Sequence, residues 1–503
     1  MVLIVDSQMF TVMLSTNSSP DLLNFSTNHS SMKLIKLTPL LTLLAVPFLS
    51  AEVKLPSVIG SHMVLQRDEP VPIWGWADKS EEVSVTFAGK TYKTQADCTT
   101  GNWKVKLDAA KANSKGQKMV IKGHNEIVLE DILIGEVWLC SGQSNMEWTV
   151  ARSANAKEEI ANGKHPLIRH IKVPHRPSDK AELDVPTKGW QICSPDTVAN
   201  FTAVGYYFAR HIQGELNVPV GLLGSNWGGT RIDPWIPPVG YKSVPALKTG
   251  FADKLDQFPS KNGNRINHQS PLALYNGMIS PLVPYGIRGA LWYQGESNNG
   301  EGMLYHEKMK ALINGWRSLW NKDDLPFYYV QLAPFNYRNR SGEALAGIWQ
   351  AQLATLAVPN TGMAVTTDIT TVNNIHPPNK QDVGKRLAFW ALAKDYGKKD
   401  ITYTGPLFSK VESKGGKLVV HFQNGTAEGL VTQDCQKASH FEVSGKDGKW
   451  VPALAKIEGK TIVLTAEGVK EPKQARFGWD QQAVPNLFNE AGLPASPFHS
   501  SFK

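Results

Sequence analysis

The stretch Trp138-Leu139-Cys140-Ser141-Gly142-Gln143-Ser144-Asn145-Met146 places a serine where a nucleophile is easily built. Residues 132–140 are apolar and β-prone and read as a buried strand that stops at Ser141-Gly142. A serine just past such a strand can project its hydroxyl into a crevice, with backbone N–H groups of the next segment facing a developing oxyanion. The segment is not the G-x-S-x-G elbow, because residue 146 is Met where that pattern needs Gly. A plain polar turn is the competing reading of this segment alone. Ser144 needs a base to remove its proton, and His376 stands out among the 13 histidines. It lies in Asn374-Ile375-His376-Pro377-Pro378-Asn379, between a β-type run and a helix for which Asn379 is the expected N-cap. Two prolines and a capped helix hold such a histidine well for general-base work; an ordinary loop histidine is the alternative. Gly228-Gly229 follows another strand candidate and lets backbone N–H groups approach a ligand closely. Trp292-Tyr293-Gln294-Gly295-Glu296 follows a third, with an amide donor in Gln294 and a carboxylate in Glu296. The plain readings are a tight turn for the glycines and a buried, satisfied amide for Gln294.

These residues can meet only if the elements before them share one sheet. Strand candidates at 132–140, 220–225, 287–293, 327–332 and 363–367 are separated by helical stretches that include 204–216, 303–320 and 344–357. The alternation predicts an α/β fold, a doubly wound parallel sheet with helices on both faces. Ligands of such sheets bind beyond the carboxyl ends of the strands, which gathers the four polar strand ends along one edge. Residues 52–130 read instead as short alternating runs, among them 71–76, 83–87 and 103–107, and predict a small β-sandwich-like domain. The α/β domain is then expected over 131–398. From 399 to 503 β-type runs return at 417–422, 441–443 and 461–464, with turns at Asn424-Gly425 and Asp447-Gly448, and predict a second β-domain.

Composition agrees with a multidomain globular protein: 503 residues, 42% hydrophobic and 19% charged. The net charge of +8 comes from dispersed lysines without a basic cluster, so nucleic-acid binding is not expected. Met32-Lys33-Leu34-Ile35-Lys36 followed by an apolar run to Ser50 and by Ala51 reads as a secretory signal peptide. The run is too short to remain as a membrane span, and an uncleaved anchor is the alternative. Residues 1–31 become an upstream extension, and the mature chain is expected in the periplasm or outside the cell. The four cysteines have no zinc-ligand spacing, no metal or cofactor is expected, and Cys140 reads as a core residue.

The motifs together resemble the sialate O-acetylesterase family, an SGNH-hydrolase branch related to acetylxylan esterases. The resemblance rests on Val137–Met146, Trp227-Gly228-Gly229-Thr230, Leu274–Ile279, Trp292–Asn298, and Ile375-His376-Pro377 with Lys380 and 384–388. It extends to 63–67 and 74–77 near one end and to 486–489 and 492–498 near the other. It implies an SGNH-type (flavodoxin-like) sheet, Ser144 as nucleophile and His376 as base. It also implies an oxyanion hole from the Ser144 N–H, a backbone N–H in Gly228-Gly229, and the Gln294 side chain. One departure matters: relatives carry Asp two residues before the histidine, and here that position is Asn374. Glu296 is the first choice for the orienting carboxylate and Asp368 the second; a Ser–His dyad is the alternative. Arg231 is a candidate for bidentate contact with a sialate carboxylate, against a structural salt bridge. Trp148, Trp235 and Trp292 are candidates for stacking on sugars, against core packing.

The leading expectation is an exported carbohydrate O-acetylesterase acting on an acetylated sialoglycan or plant glycan through an acetyl-enzyme. Acetylxylan is the alternative substrate. A glycoside hydrolase using Glu147 and Glu296, or a non-catalytic glycan-binding protein, are the readings from other classes.

Overall fold

The computed structural model describes residues 52–501; the expected extension and signal peptide, residues 1–51, lie outside the described residues. Seven strands form the α/β part of the central sheet. They are β1 (Glu126–Gly142), β2 (His165–Lys172), β3 (Gln191–Cys193), β4 (Val220–Asn226), β5 (Gly289–Tyr293), β6 (Phe327–Val330) and β7 (Thr361–Ala364). Four longer helices accompany them: α1 (Ala203–Leu216), α2 (Leu304–Trp320), α3 (Gly342–Thr355) and α4 (Lys380–Lys394). The strand order is β7-β6-β5-β1-β4-β2-β3. Neighbours pair in parallel except β3, which runs antiparallel to β2. On one side of β1 the chain steps outward through β5, β6 and β7; on the other it visits β2 and the edge strand β3 before β4 fills the place beside β1, so the order reverses at β1 and the crevice at its carboxyl end is the switch point of the sheet.

Side-chain alternation assigns the two faces. Trp138 and Cys140 of β1 point to one face, where Trp138 meets Phe208 of α1 at 4.9 Å and stacks on Tyr328 at 5.8 Å. Tyr328 in turn lies 6.4 Å from Trp390 of α4. Trp292 of β5 is in register with Ser141 and so points to the other face, where it meets Trp316 of α2 at 5.8 Å. Helices α1 and α4 thus cover one face and α2 the other, and every residue from Val137 to Gly142 is buried.

β1 begins well before the α/β part. Its first half pairs antiparallel with Asn113–Lys122, and Leu133–Gly135 pair in parallel with Val64–Gln66. One strand of 17 residues therefore runs through the boundary expected at 130/131. Just beyond it, the fully buried Glu136 accepts from Arg67 Nε at 2.5 Å, Arg288 Nε at 3.0 Å and Gln66 Nε2 at 3.1 Å. A carboxylate so buried needs such partners, and one arginine comes from each side of the junction. The C-terminal region forms two four-stranded antiparallel sheets. It is tied to the α/β part by Gln331 Nε2 donating to Ser496 Oγ (2.9 Å) and by the Tyr337 N–H donating to Gln481 Oε1 (3.1 Å).

Candidate active site

The turn that carries Ser144 is built from the end of β1. Gly142 has φ +134°, and a Cβ there would lie 2.2 Å from the Tyr293 carbonyl oxygen of β5. Only glycine combines that backbone with that approach. The Gln143 N–H then donates to the same carbonyl at 2.9 Å, which anchors the chain as it leaves the sheet. A single helical turn, Ser144–Glu147, follows. The N–H groups of Met146 and Glu147 are taken by the Gln143 carbonyl, while that of Ser144 bonds no acceptor among the described residues.

His376 completes the pair: its Nε2 lies 2.8 Å from Ser144 Oγ, across 232 residues of sequence. The loop is held as its residues imply. The Asn379 side chain caps α4 by accepting from the Asp382 N–H at 3.1 Å, and Pro377 is buried. Asn374 Oδ1 accepts from the His376 backbone N–H at 2.9 Å, so it shapes the loop and does not touch the imidazole. No hydrogen bond to His376 Nδ1 exists among the described residues. The ring is oriented by stacking on Trp148, with centroids 4.6 Å apart and planes 19° apart. Trp148 is itself pinned by Nε1 donating to the Arg152 carbonyl at 2.7 Å and by the Arg152 guanidinium 3.7 Å from its ring. Burial, then the Lys380 ammonium and the Arg152 guanidinium, lower the His376 pKa from the ordinary histidine value.

The other expected site residues are placed differently. Glu296 does not bond His376; its Oε1 accepts from Asn145 Nδ2 at 2.5 Å, and its Oε2 is buried with no partner. Burial pushes its pKa up. Asp368 is committed to a bidentate pair with Arg386, at 2.7 and 2.6 Å, and Arg386 also donates to the Val365 carbonyl. Neither carboxylate therefore takes the orienting place by direct contact. Gln294 is fully buried as the hub of a network. Its Nε2 faces Gln143 Oε1, the Thr230 carbonyl and Asn298 Oδ1 at 3.1, 3.1 and 2.7 Å, and its Oε1 accepts from Tyr305 at 2.9 Å. Both amide protons are spent, so the side chain is no free oxyanion donor. The glycine pair does lie beside the nucleophile: a Cβ on Gly228 would sit 3.3 Å from Ser144 Cβ. The Gly228 N–H, however, donates to Glu147 Oε2 at 2.7 Å. The Gly229 N–H is left without an acceptor among the described residues, at φ +74°. Arg231 bonds Glu301, Asp233 and the Ser297 carbonyl, the structural salt-bridge alternative. Trp235 and Trp292 are core residues, 0% and 1% exposed, whereas Trp148 belongs to the site.

Two residues that carry weight here were given no role in the sequence reading. Asn145 is buried between the Ser144 turn and the His376 loop, and Lys380, 0% exposed, donates to its Oδ1 at 2.6 Å. Their adjacency to Ser144 and to the capped helix was visible; their burial was not. Glu147 is also more than a polar turn residue. It accepts from His175 Nε2 at 2.7 Å and Lys172 Nζ at 3.1 Å; burial opposes its ionisation, but these partners and Gly228 outweigh it and hold the pKa at about 2. Glu147 is held ionised by its partners and Glu296 is buried against Asn145, which gives a glycoside-hydrolase reading no accessible acid–base pair. The one group of suitable donors for a metal among the described residues, Asp78, Glu81 and His124, lies in the N-terminal β region.

A serine in the turn after a buried strand, hydrogen-bonded to a loop histidine at the switch point of a doubly wound sheet, is the arrangement that serine hydrolases use. Residues 134–392 match the family described as carbohydrate esterase, sialic acid-specific acetylesterase. The chain is 29% identical over 491 residues to sialate O-acetylesterase of Homo sapiens, covering 88% of this chain and 91% of that enzyme. It is 29% identical over 507 residues to the enzyme of Rattus norvegicus, covering 88% and 93%. The crystal structure of a carbohydrate acetylesterase from Xanthomonas citri superposes with a TM-score of 0.82 at 34% identity, covering 90% of this chain and 100% of that one. The chain belongs to the sialic acid-specific acetylesterase family, and it is a carbohydrate O-acetylesterase.

Proposed function

We propose that the chain removes O-acetyl groups from sialic acid, with Ser144 as nucleophile and His376 as general base and acid. The 2.8 Å bond between Ser144 Oγ and His376 Nε2 at the end of β1 carries this reading. His376 takes the Oγ proton as Oγ attacks the acetyl carbonyl carbon. The Ser144 and Gly229 N–H groups are the donors for the resulting oxyanion. The imidazolium passes its proton to the sugar oxygen as the ester C–O bond breaks, leaving acetyl-Ser144. His376 then deprotonates a water, which attacks the acetyl carbon; acetate leaves and the serine is restored. With no carboxylate on Nδ1, the imidazolium is supported by the face of Trp148.

The sialate reading rests on the family and on an arginine other than Arg231. Asn373, three residues before His376, lines an open cleft of about 440 Å³ with Phe335, Tyr337, Arg338 and Arg340. Arg338 is exposed and makes no ion pair among the described residues, so its guanidinium is free to meet a sugar carboxylate. Acetate release from O-acetylated sialosides and from acetylxylan tests both points. Ser144→Ala is expected to lower release by roughly 10³-fold or more, and Arg338→Ala to raise KM for the sialoside alone. Equal or better turnover of acetylxylan, with Arg338→Ala neutral, would replace sialic acid by a neutral glycan. Export is supported by the leader motif over Met32–Ala51, and cell fractionation tests it.

A further inference from the structure

One side chain joins the nucleophile turn to the base loop. Asn145 directly follows Ser144 and is 1% exposed. Its Nδ2 donates to the Ile375 carbonyl at 3.0 Å, one residue before His376, and to Glu296 Oε1 at 2.5 Å. Its Oδ1 accepts from Lys380 Nζ at 2.6 Å. Only one orientation of the amide satisfies this set, because a flip would turn its oxygen toward a carbonyl and a carboxylate. Lys380 is the first residue of α4 and is fully buried, yet it reaches no carboxylate within ion-pair distance among the described residues. The opposite charge, Glu296, stands on the far side of Asn145, with one oxygen unpartnered. A buried ammonium held this way costs stability, so it calls for a role.

We propose that Lys380 is a positioning residue that, through Asn145 and with Glu296 as counter-charge, locks the nucleophile turn to the base loop and holds a positive charge behind His376. The proposal rests on the Ser144–His376 reading above. Two cations face His376, Lys380 from α4 and Arg152 from beside Trp148. Glu296, from the turn after β5, faces Lys380, and Tyr293 lies under the ammonium at 5.3 Å. The Lys380 charge disfavours imidazolium, so it extends the pH range over which the base is ready. Burial lowers the lysine's own pKa to about 7, and the facing Glu296 opposes that shift and favours the charged ammonium.

The test is the pH profile of kcat/KM on a chromogenic acetyl ester, with folding checked by circular dichroism. Lys380→Gln keeps a donor for Asn145 and removes the charge. Its acid limb should move to higher pH by roughly 0.5–1 unit. Lys380→Met removes both and should show the same shift with a lower kcat. Lys380→Arg keeps the charge and should leave the limb in place while lowering kcat. Should Lys380→Met not fold, the Gln and Arg variants carry the comparison. An unmoved limb in folded Lys380→Gln overturns the proposal. Ser144→Ala, assayed beside them, separates the two levels: if it stays active, the catalytic reading itself fails.

Discussion

His376 works in surroundings that disfavour its charged form. Burial, Lys380 and Arg152 all act in one direction, and among the described residues no carboxylate touches its ring to oppose them. The neutral, proton-accepting imidazole therefore persists to lower pH than in a free histidine. The acid limb of kcat/KM is expected below the ordinary histidine pKa of about 6.5. A limb at or above that value, read with the same acetyl ester, would mean that a carboxylate reaches Nδ1 in the working enzyme. Under the proposed mechanism the cost of the arrangement falls on the transition state, where among the described residues the imidazolium has the Trp148 face for support. At this scale the sequence is readable in part. Ser144 and His376 stand out because strand ends, prolines and a helix cap mark them. The orienting group does not stand out, because each candidate's availability depends on who else claims it. Asp368 is claimed by Arg386 and Glu296 by Asn145. Gln294 reads equally well as a ligand donor and as a core hub, and only its burial decides.

Among the elements, the junction between β1 and the helical turn after it does the most to place the nucleophile. Gly142 is where the two meet, at φ +134° and against the Tyr293 carbonyl. Gly142→Ala is expected to cost at least about 2 kcal/mol, seen as a lower melting temperature, and to reduce kcat by shifting Ser144 away from His376. An alanine variant with native melting and native kcat would show that the turn relaxes freely. The regular elements are legible because their periodicity is strong: the helix expected over 303–320 is found at Leu304–Trp320, and the Asn379 cap is where its pattern predicts. The continuity of β1 is harder to see. Residues 126–131 alternate between half-exposed, exposed and buried, whereas 132–142 are buried throughout, and the change of pattern suggests two elements. It is one strand passing from a sheet with a wet face into a sheet covered on both.

At the scale of the whole molecule, that strand makes the N-terminal β region part of the catalytic sheet's foundation. A chain lacking residues 52–122 would strip the partners from the first half of β1 and take Arg67 from Glu136. Removing one partner of a buried charge costs on the order of 3–5 kcal/mol, and Ile132, Leu133 and Ile134 would lose their cover. The truncated chain is expected to be insoluble or to melt well below the full chain. A soluble, fully active truncation would show that the two parts fold independently. The C-terminal region bears on the proposed sugar cleft, since Gln481 holds the Tyr337 backbone in the loop that lines it. The shared strand has a consequence for descent as well. A crossover between genes at the apparent boundary would split β1 after its fifth residue, so a new N-terminal region joined there would have to supply the start of the strand in the same register. Lineages that keep the Ser144 turn are expected to inherit that region with it, as a single unit of selection.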